Sequence, residues 1–235
     1  MKKELTGGLI LGMILLSGNA FGQTKQIDSE QIKSDRATEQ TYFDLLVNLV
    51  STNLNYGKSN SALHEYKKTN QGVQAGVSFQ AGITPRVSLV SELYFIMKGG
   101  ELKAGNPLTA NKTTLRFYEL ELPVLARFHF GKFYVNAGPS IACNLFGTRK
   151  MEGTSAALLF NSSSEAFKRL DAGIQMGAGY RFKVKQKSLA LDVRYTDGLT
   201  NISHGPEMYN RYLNISLRVS KPWKANPLGR NKNSR

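Results

Sequence analysis

The sequence predicts an all-β fold, an antiparallel up-and-down barrel of eight strands, and three features carry that expectation. Apolar and polar residues alternate with a period of two in segment after segment. The connections alternate between short and long. A two-residue glycine turn fixes the register of one hairpin. A period of two makes a strand with two unlike faces, so each segment states which residues share a side.

Taken in order, "YFDLLVNLVSTNLNY" is the weakest strand, because Leu46, Val50 and Leu54 interrupt its polar face. In "NQGVQAGVSFQA" Val73, Ala75, Val77, Phe79 and Ala81 oppose Gly72, Gln74, Gly76, Ser78 and Gln80. In "RVSLVSELYFIMK" Val87, Leu89, Leu93, Phe95 and Met97 oppose Arg86, Ser88, Glu92, Tyr94 and Lys98. "FYELELPVLARFHF" sets Tyr118, Leu120, Leu122, Val124, Ala126, Phe128 and Phe130 against Glu119, Glu121, Arg127 and His129. "FYVNAGPSIACNLF" sets Phe133, Val135, Ala137, Ile141, Cys143 and Leu145 against Tyr134, Asn136, Gly138, Ser140 and Asn144. "RLDAGIQMGAGYRF" is the most regular, with every even position from Leu170 to Phe182 apolar. "SLALDVRYT" and "YLNISLRVS" complete the set, with Asp192, Arg194, Asn214 and Arg218 on their polar sides.

The short connections are "GITP", "GK" and "KVKQKS"; the long polar ones run near residues 57–70, 99–113, 147–165 and 198–210. Gly131 and Lys132 form a two-residue loop with glycine first, as a type II′ turn requires. That turn pairs Phe130 with Phe133 and keeps both apolar faces on one side. Pro123 and Pro139 each remove a ladder donor within a strand, and the register sets both in one patch of one strand pair, where a bulge is expected.

An exported barrel of this size either encloses its apolar residues or turns them to lipid. Export is read from "MKKELTGGLILGMILLSGNAFG": Lys2 and Lys3, an apolar run too short to span, and Ala20 and Gly22 before a cut at Gln23. Glycine decides the facing. Gly72, Gly76, Gly138, Gly173, Gly177 and Gly179 all lie on the polar face, and a narrow lumen is where side-chain room is scarcest. The apolar faces are also free of charge. Phe79, Phe128, Phe130, Phe133, Tyr180, Phe182 and Trp223 gather near the short turns, while Phe95, Tyr118 and Tyr195 lie toward the long loops, as interfacial girdles do. The expected organisation is a signal peptide (1–22), a periplasmic tail (23–40), an outer-membrane barrel (41–223) and a basic C-terminal tail (224–235), with both termini periplasmic.

Thirty-one Lys and Arg against seventeen Asp and Glu give a net charge of +14. Export argues against nucleic acid, and outer-membrane lipid and lipopolysaccharide headgroups are the partners such charge expects. The single cysteine, Cys143, leaves no internal disulfide. The inward charges Glu92, Glu119, Glu121, Arg127, Asp171, Arg181, Asp192, Arg194 and Arg218 are expected to form a structural network, because buried charges must be paired. Asp44, Arg86, Lys98 and Arg169 also carry inward parity. Eight strands leave just enough width for side chains, so this network should fill the lumen and leave no water path. Replacing Arg194 by leucine should then cost roughly 3–5 kcal/mol. No histidine spacing suits a metal, no cofactor motif is present, and the adjacent Ser203 and His204 offer no catalytic geometry.

"YELELPVLARFHFGKFYVNAGPSIA", "GAGYRF" and "LDVRYTDGLTNI" resemble the PorT-like outer-membrane β-barrel family over Tyr42 to Ser220. The resemblance implies the same fold and location, and it implies a part in protein secretion, together with secretion-system or periplasmic partners. Such chains usually end on an aromatic residue of the last strand, whereas here "KANPLGRNKNSR" follows Trp223. The expected function is non-enzymatic support of secretion or envelope organisation. A surface-exposed structural or adhesive barrel is the alternative, and a lipid A-modifying enzyme a more distant one.

Overall fold

The computed structural model describes residues 41–184 and 187–220. The expected signal peptide, the periplasmic tail, Trp223 and the basic C-terminal tail lie outside the described residues. Eight long strands and two short ones are present: β1 (Tyr42–Tyr56), β2 (Lys67–Lys68), β3 (Asn70–Thr84), β4 (Val87–Leu102), β5 (Thr113–Phe130), β6 (Phe133–Met151), β7 (Thr154–Ala157), β8 (Leu170–Val184), β9 (Lys187–Gly198) and β10 (Met208–Ser220). The long ones pair antiparallel in sequence order, and β1 pairs β10, so the sheet closes on itself without an open edge. Both ends of the described barrel lie at the short-turn rim, where Tyr42 faces Gln80 and Ser220 faces Ser188.

Side-chain facing follows the alternation. Leu45, Val47 and Leu49 are more than 70% exposed on the outside, while Leu46, Asn48 and Val50 between them are buried. The same holds for Leu170, Ile174 and Met176 outside against Asp171 and Gln175 inside. A belt of exposed leucine, valine, isoleucine and phenylalanine this extensive is untenable in water. It is the surface a bilayer covers, around a lumen whose polar groups satisfy one another.

Two local expectations fare differently in the structure. The turn at Gly131 is as expected: its φ is +66°, Lys132 is not left-handed, and Phe130 pairs Phe133. The prolines make no bulge. Pro123 pairs Ser140, the register is unchanged at Ala126 and Ala137, and the shift falls instead between Tyr118 and Glu119, opposite Asn144–Phe146. Leu145 is the extra residue, and both it and Phe146 face outward. A bulge frees carbonyls, and here the Arg169 guanidinium donates to those of Asn144 and Leu145 at 3.2 and 3.4 Å. A missing proline donor costs one ladder bond without adding a residue, so it need not change register.

The long connections do not stand open. Leu63 of the 3-10 helix Lys58–Tyr66, Leu158, Phe167, Ile202 and Met208 fold inward over Leu54, Tyr56, Leu102, Leu115 and Phe117 as one apolar cluster. Phe117 and Phe167 meet edge to face at 5.0 Å. Asn201 pins this arch by accepting from the Ser203 and Met208 amides.

Candidate functional site

The inward residues of β4 give the layers of the lumen in order: Ser88, Val90, Glu92, Tyr94, Ile96, Lys98, Leu102, from the short-turn rim to the loop-side cap. Glu92 anchors the first charged layer. Its carboxylate accepts from Arg194 Nη1 and Nη2 at 2.7 and 3.0 Å and from Arg218 Nη2 at 2.7 Å. Arg194 Nε donates to Asp192 at 2.6 Å. Asp192 also accepts from the Tyr134 hydroxyl at 2.8 Å and from Arg127 at 3.5 Å. Three guanidiniums therefore share two carboxylates, and all five groups are buried.

Above it lies a mixed belt. The Tyr94 and Tyr212 hydroxyls meet at 3.1 Å, Gln175 Nε2 donates to both, and Leu46, Val50 and Ile96 pack around the two rings. β1 thus contributes aliphatic filling where a wholly polar lumen was expected. Higher still, the Lys98 ammonium stands 2.7 Å from Glu119, 3.1 Å from Glu121 and 3.8 Å from Asp171. Asn210 donates to Asp171 and Glu119. The gap beside this lysine is about 10 Å³, close to the space of one water.

Glycine opposite Arg194 and Tyr134 makes this filling fit. A Cβ at Gly177 would come within 2.7 Å of Arg194 Cγ, and one at Gly179 within 2.2 Å of the Tyr134 ring. Each glycine pairs directly with the residue it accommodates.

Eight of the nine residues expected in the network fall into the two charged layers: Glu92, Arg127, Asp192, Arg194 and Arg218 in one, Glu119, Glu121 and Asp171 in the other. Arg181 does not. It sits half-buried near the short-turn rim, 5.6 Å from the Tyr42 ring. Arg86 lies exposed in the β3–β4 turn and Arg169 at the loop side, so neither enters the lumen. Lys98 has inward parity but belongs to the network as its second centre, which only the convergence of β4, β5 and β8 reveals. Tyr94, Gln175 and Tyr212 likewise carry no motif; their meeting is a product of barrel closure.

Among the described residues no reactive geometry emerges from the histidines and serines. Ser203 accepts from the Gly205 amide in a turn beside exposed His204. His129 Nε2 lies 2.9 Å from Ser88 Oγ, but both are buried and no carboxylate orients the ring among the described residues.

Residues 31–204 match the family described as "Outer membrane protein beta-barrel domain", so the chain belongs to that family. It is an outer-membrane β-barrel protein. Among solved structures, Neisserial surface protein A is similar at 11% identity, covering 75% of this chain and 96% of that one, with a TM-score of 0.47. Ail of Yersinia pestis is similar at 9% identity, 77% and 99% coverage and a TM-score of 0.41. OprG of Pseudomonas aeruginosa is similar at 10% identity, 79% and 97% coverage and a TM-score of 0.44. A search of curated proteins found no match.

Proposed function

We propose that the protein is a sealed, non-enzymatic barrel that supports protein secretion or envelope organisation, with its long loops extracellular and both termini periplasmic. The observation that carries the sealed reading is the filled lumen: two ion layers, a tyrosine belt and an apolar cap succeed one another along the axis. A sealed barrel acts through its surfaces rather than by conducting solutes. The secretion reading rests on the resemblance of "YELELPVLARFHFGKFYVNAGPSIA" and "LDVRYTDGLTNI" to PorT-like barrels. Deleting the gene and comparing secretomes tests it. Loss of one class of exported proteins is expected; an unchanged secretome with an intact envelope would exclude it. The second reading, a structural or adhesive surface barrel, is favoured by the pinned loop arch. It predicts altered surface attachment with export intact.

A further inference from the structure

Just beyond the loop-side aromatic ring, the outer wall carries a cleft of about 780 Å³ between the extended ends of β4, β5 and β6 and the β6–β7 hairpin. Tyr118 lines the cleft, and its ring stacks on Phe146 at 4.4 Å and lies 6.1 Å from Phe95, an aromatic row at the lower edge. Aromatic residues of this kind settle at headgroup level, so they mark the upper edge of the hydrocarbon. Arg116 lies two residues above Tyr118 on the same outward face, about 7 Å along the strand. Lys150, beside Thr114 in the ladder, lies about as far again above it.

The charges there are unequal. Glu101 is held by Lys112 at 3.0 Å and Lys68 at 3.6 Å, which occupies that carboxylate. The other acid, Glu152, sits exposed at the tip of the β6–β7 hairpin. Arg116 makes only a 3.7 Å contact with Met97 Sδ, and Lys150 makes no ion pair among the described residues. Four cations thus face two carboxylates above the aromatic row, two of those cations without an ion-pair partner among the described residues. The lysines are not on a free loop: Asn106 accepts from the Leu108 and Thr109 amides and donates to the Lys103 carbonyl, fixing the segment that presents Lys112.

We infer that this cleft binds the phosphate of a phosphorylated glycolipid headgroup in the leaflet at the long-loop side, with Arg116 and Lys150 as its principal ligands. Guanidinium and ammonium donors suit phosphate oxygens, and the aromatic stack beneath seats the start of the acyl chains. A soluble phosphate would gain nothing from that stack, so the lipid is the favoured source. The inference concerns the outer wall and is independent of the secretion reading.

The test uses the full-length barrel in phosphatidylcholine nanodiscs doped with lipid A, followed by release and native mass spectrometry of retained lipid. Wild type should retain lipid A and should not retain its dephosphorylated form. The double substitution Arg116→Gln with Lys150→Gln should lower retention about tenfold, and Lys132→Gln at the opposite rim should not. Equal retention of dephosphorylated lipid A by wild type would overturn the inference, and so would unchanged retention in the double variant or an equal loss in Lys132→Gln. Displacement of lipid A by millimolar-range inorganic phosphate would assign the cleft to a soluble anion instead. The comparison of the two lipids needs only wild type, so the inference remains testable if the double variant does not fold.

Discussion

Replacing Glu92 by leucine should harm the barrel more than replacing Arg194 by leucine, and the reason is a charge count. Arg194 makes three charge-assisted hydrogen bonds, two to Glu92 and one to Asp192. At about 1.5–3 kcal/mol each they are worth roughly 4.5–9 kcal/mol in gross terms. Removing a buried guanidinium also removes its desolvation penalty, several kcal/mol, which brings the net loss for Arg194→Leu to about 3 kcal/mol. After that change Arg127 and Arg218 still balance Glu92 and Asp192. Glu92→Leu instead leaves Arg127, Arg194 and Arg218 around Asp192 alone, a surplus of two buried positive charges, and should cost about 4–5 kcal/mol. Urea unfolding in phospholipid vesicles, followed by the gel migration difference between folded and unfolded barrels, measures both. A cost for Arg194→Leu equal to or greater than that for Glu92→Leu, or either change within about 0.5 kcal/mol of wild type, would refute the charge-balance argument.

Deleting Leu145 should be tolerated at a cost of about 1–2 kcal/mol, since Asn144 and Phe146 keep their facing, whereas deleting Val135 turns Asn136, Ser140 and Asn144 toward lipid and should abolish folding; folded yields of the two variants decide it. Gly179→Val should cost about 1–3 kcal/mol by driving the Tyr134 ring off Asp192, and Tyr134→Phe in the same background should recover little. At the loop side, burial pushes the Glu101 carboxyl up, but the hydrogen bond and charge of Lys112, with Lys68 behind, outweigh it and hold the group below the usual carboxylate range. A lowered folded value means that its contribution is complete above the unfolded pKa, about 4.3, and fades as the pH falls through the lower folded value. The difference in melting temperature between wild type and Glu101→Gln should therefore be constant at neutral pH and vanish in acid; a difference that grows in acid would contradict the pairing.

What the sequence makes legible here is whatever depends on parity and turn chemistry. Alternation in "RLDAGIQMGAGYRF" places Asp171 and Gln175 inside without any knowledge of their neighbours, and Gly131 with Lys132 fixes a hairpin from two residues. The glycines reveal the narrow side because a Cβ at Gly177 or Gly179 competes directly with Arg194 or Tyr134. Parity is silent about partners. Lys98 meets Glu119, Glu121 and Asp171 only because β4, β5 and β8 converge across a closed lumen, so its place in the network is a tertiary fact. Leu46 and Val50 look like faults in a polar face until Tyr94 and Tyr212 are brought against them. The bulge at Leu145 has no compositional mark of its own, and the prolines drew the expectation elsewhere. The apolar arch assembles from Leu63, Leu158, Phe167 and Ile202, single hydrophobic residues scattered through polar connections that periodicity does not examine.

The polar face forms a filled interior rather than the wall of a pore, and single-channel recording of the purified full-length barrel in planar bilayers distinguishes the two. Only about 10 Å³ is left beside Lys98, and an apolar cluster lies across the loop-side mouth. Wild type should show no stable conducting state at neutral pH. A steady, large unitary conductance from barrels shown to be folded would contradict it.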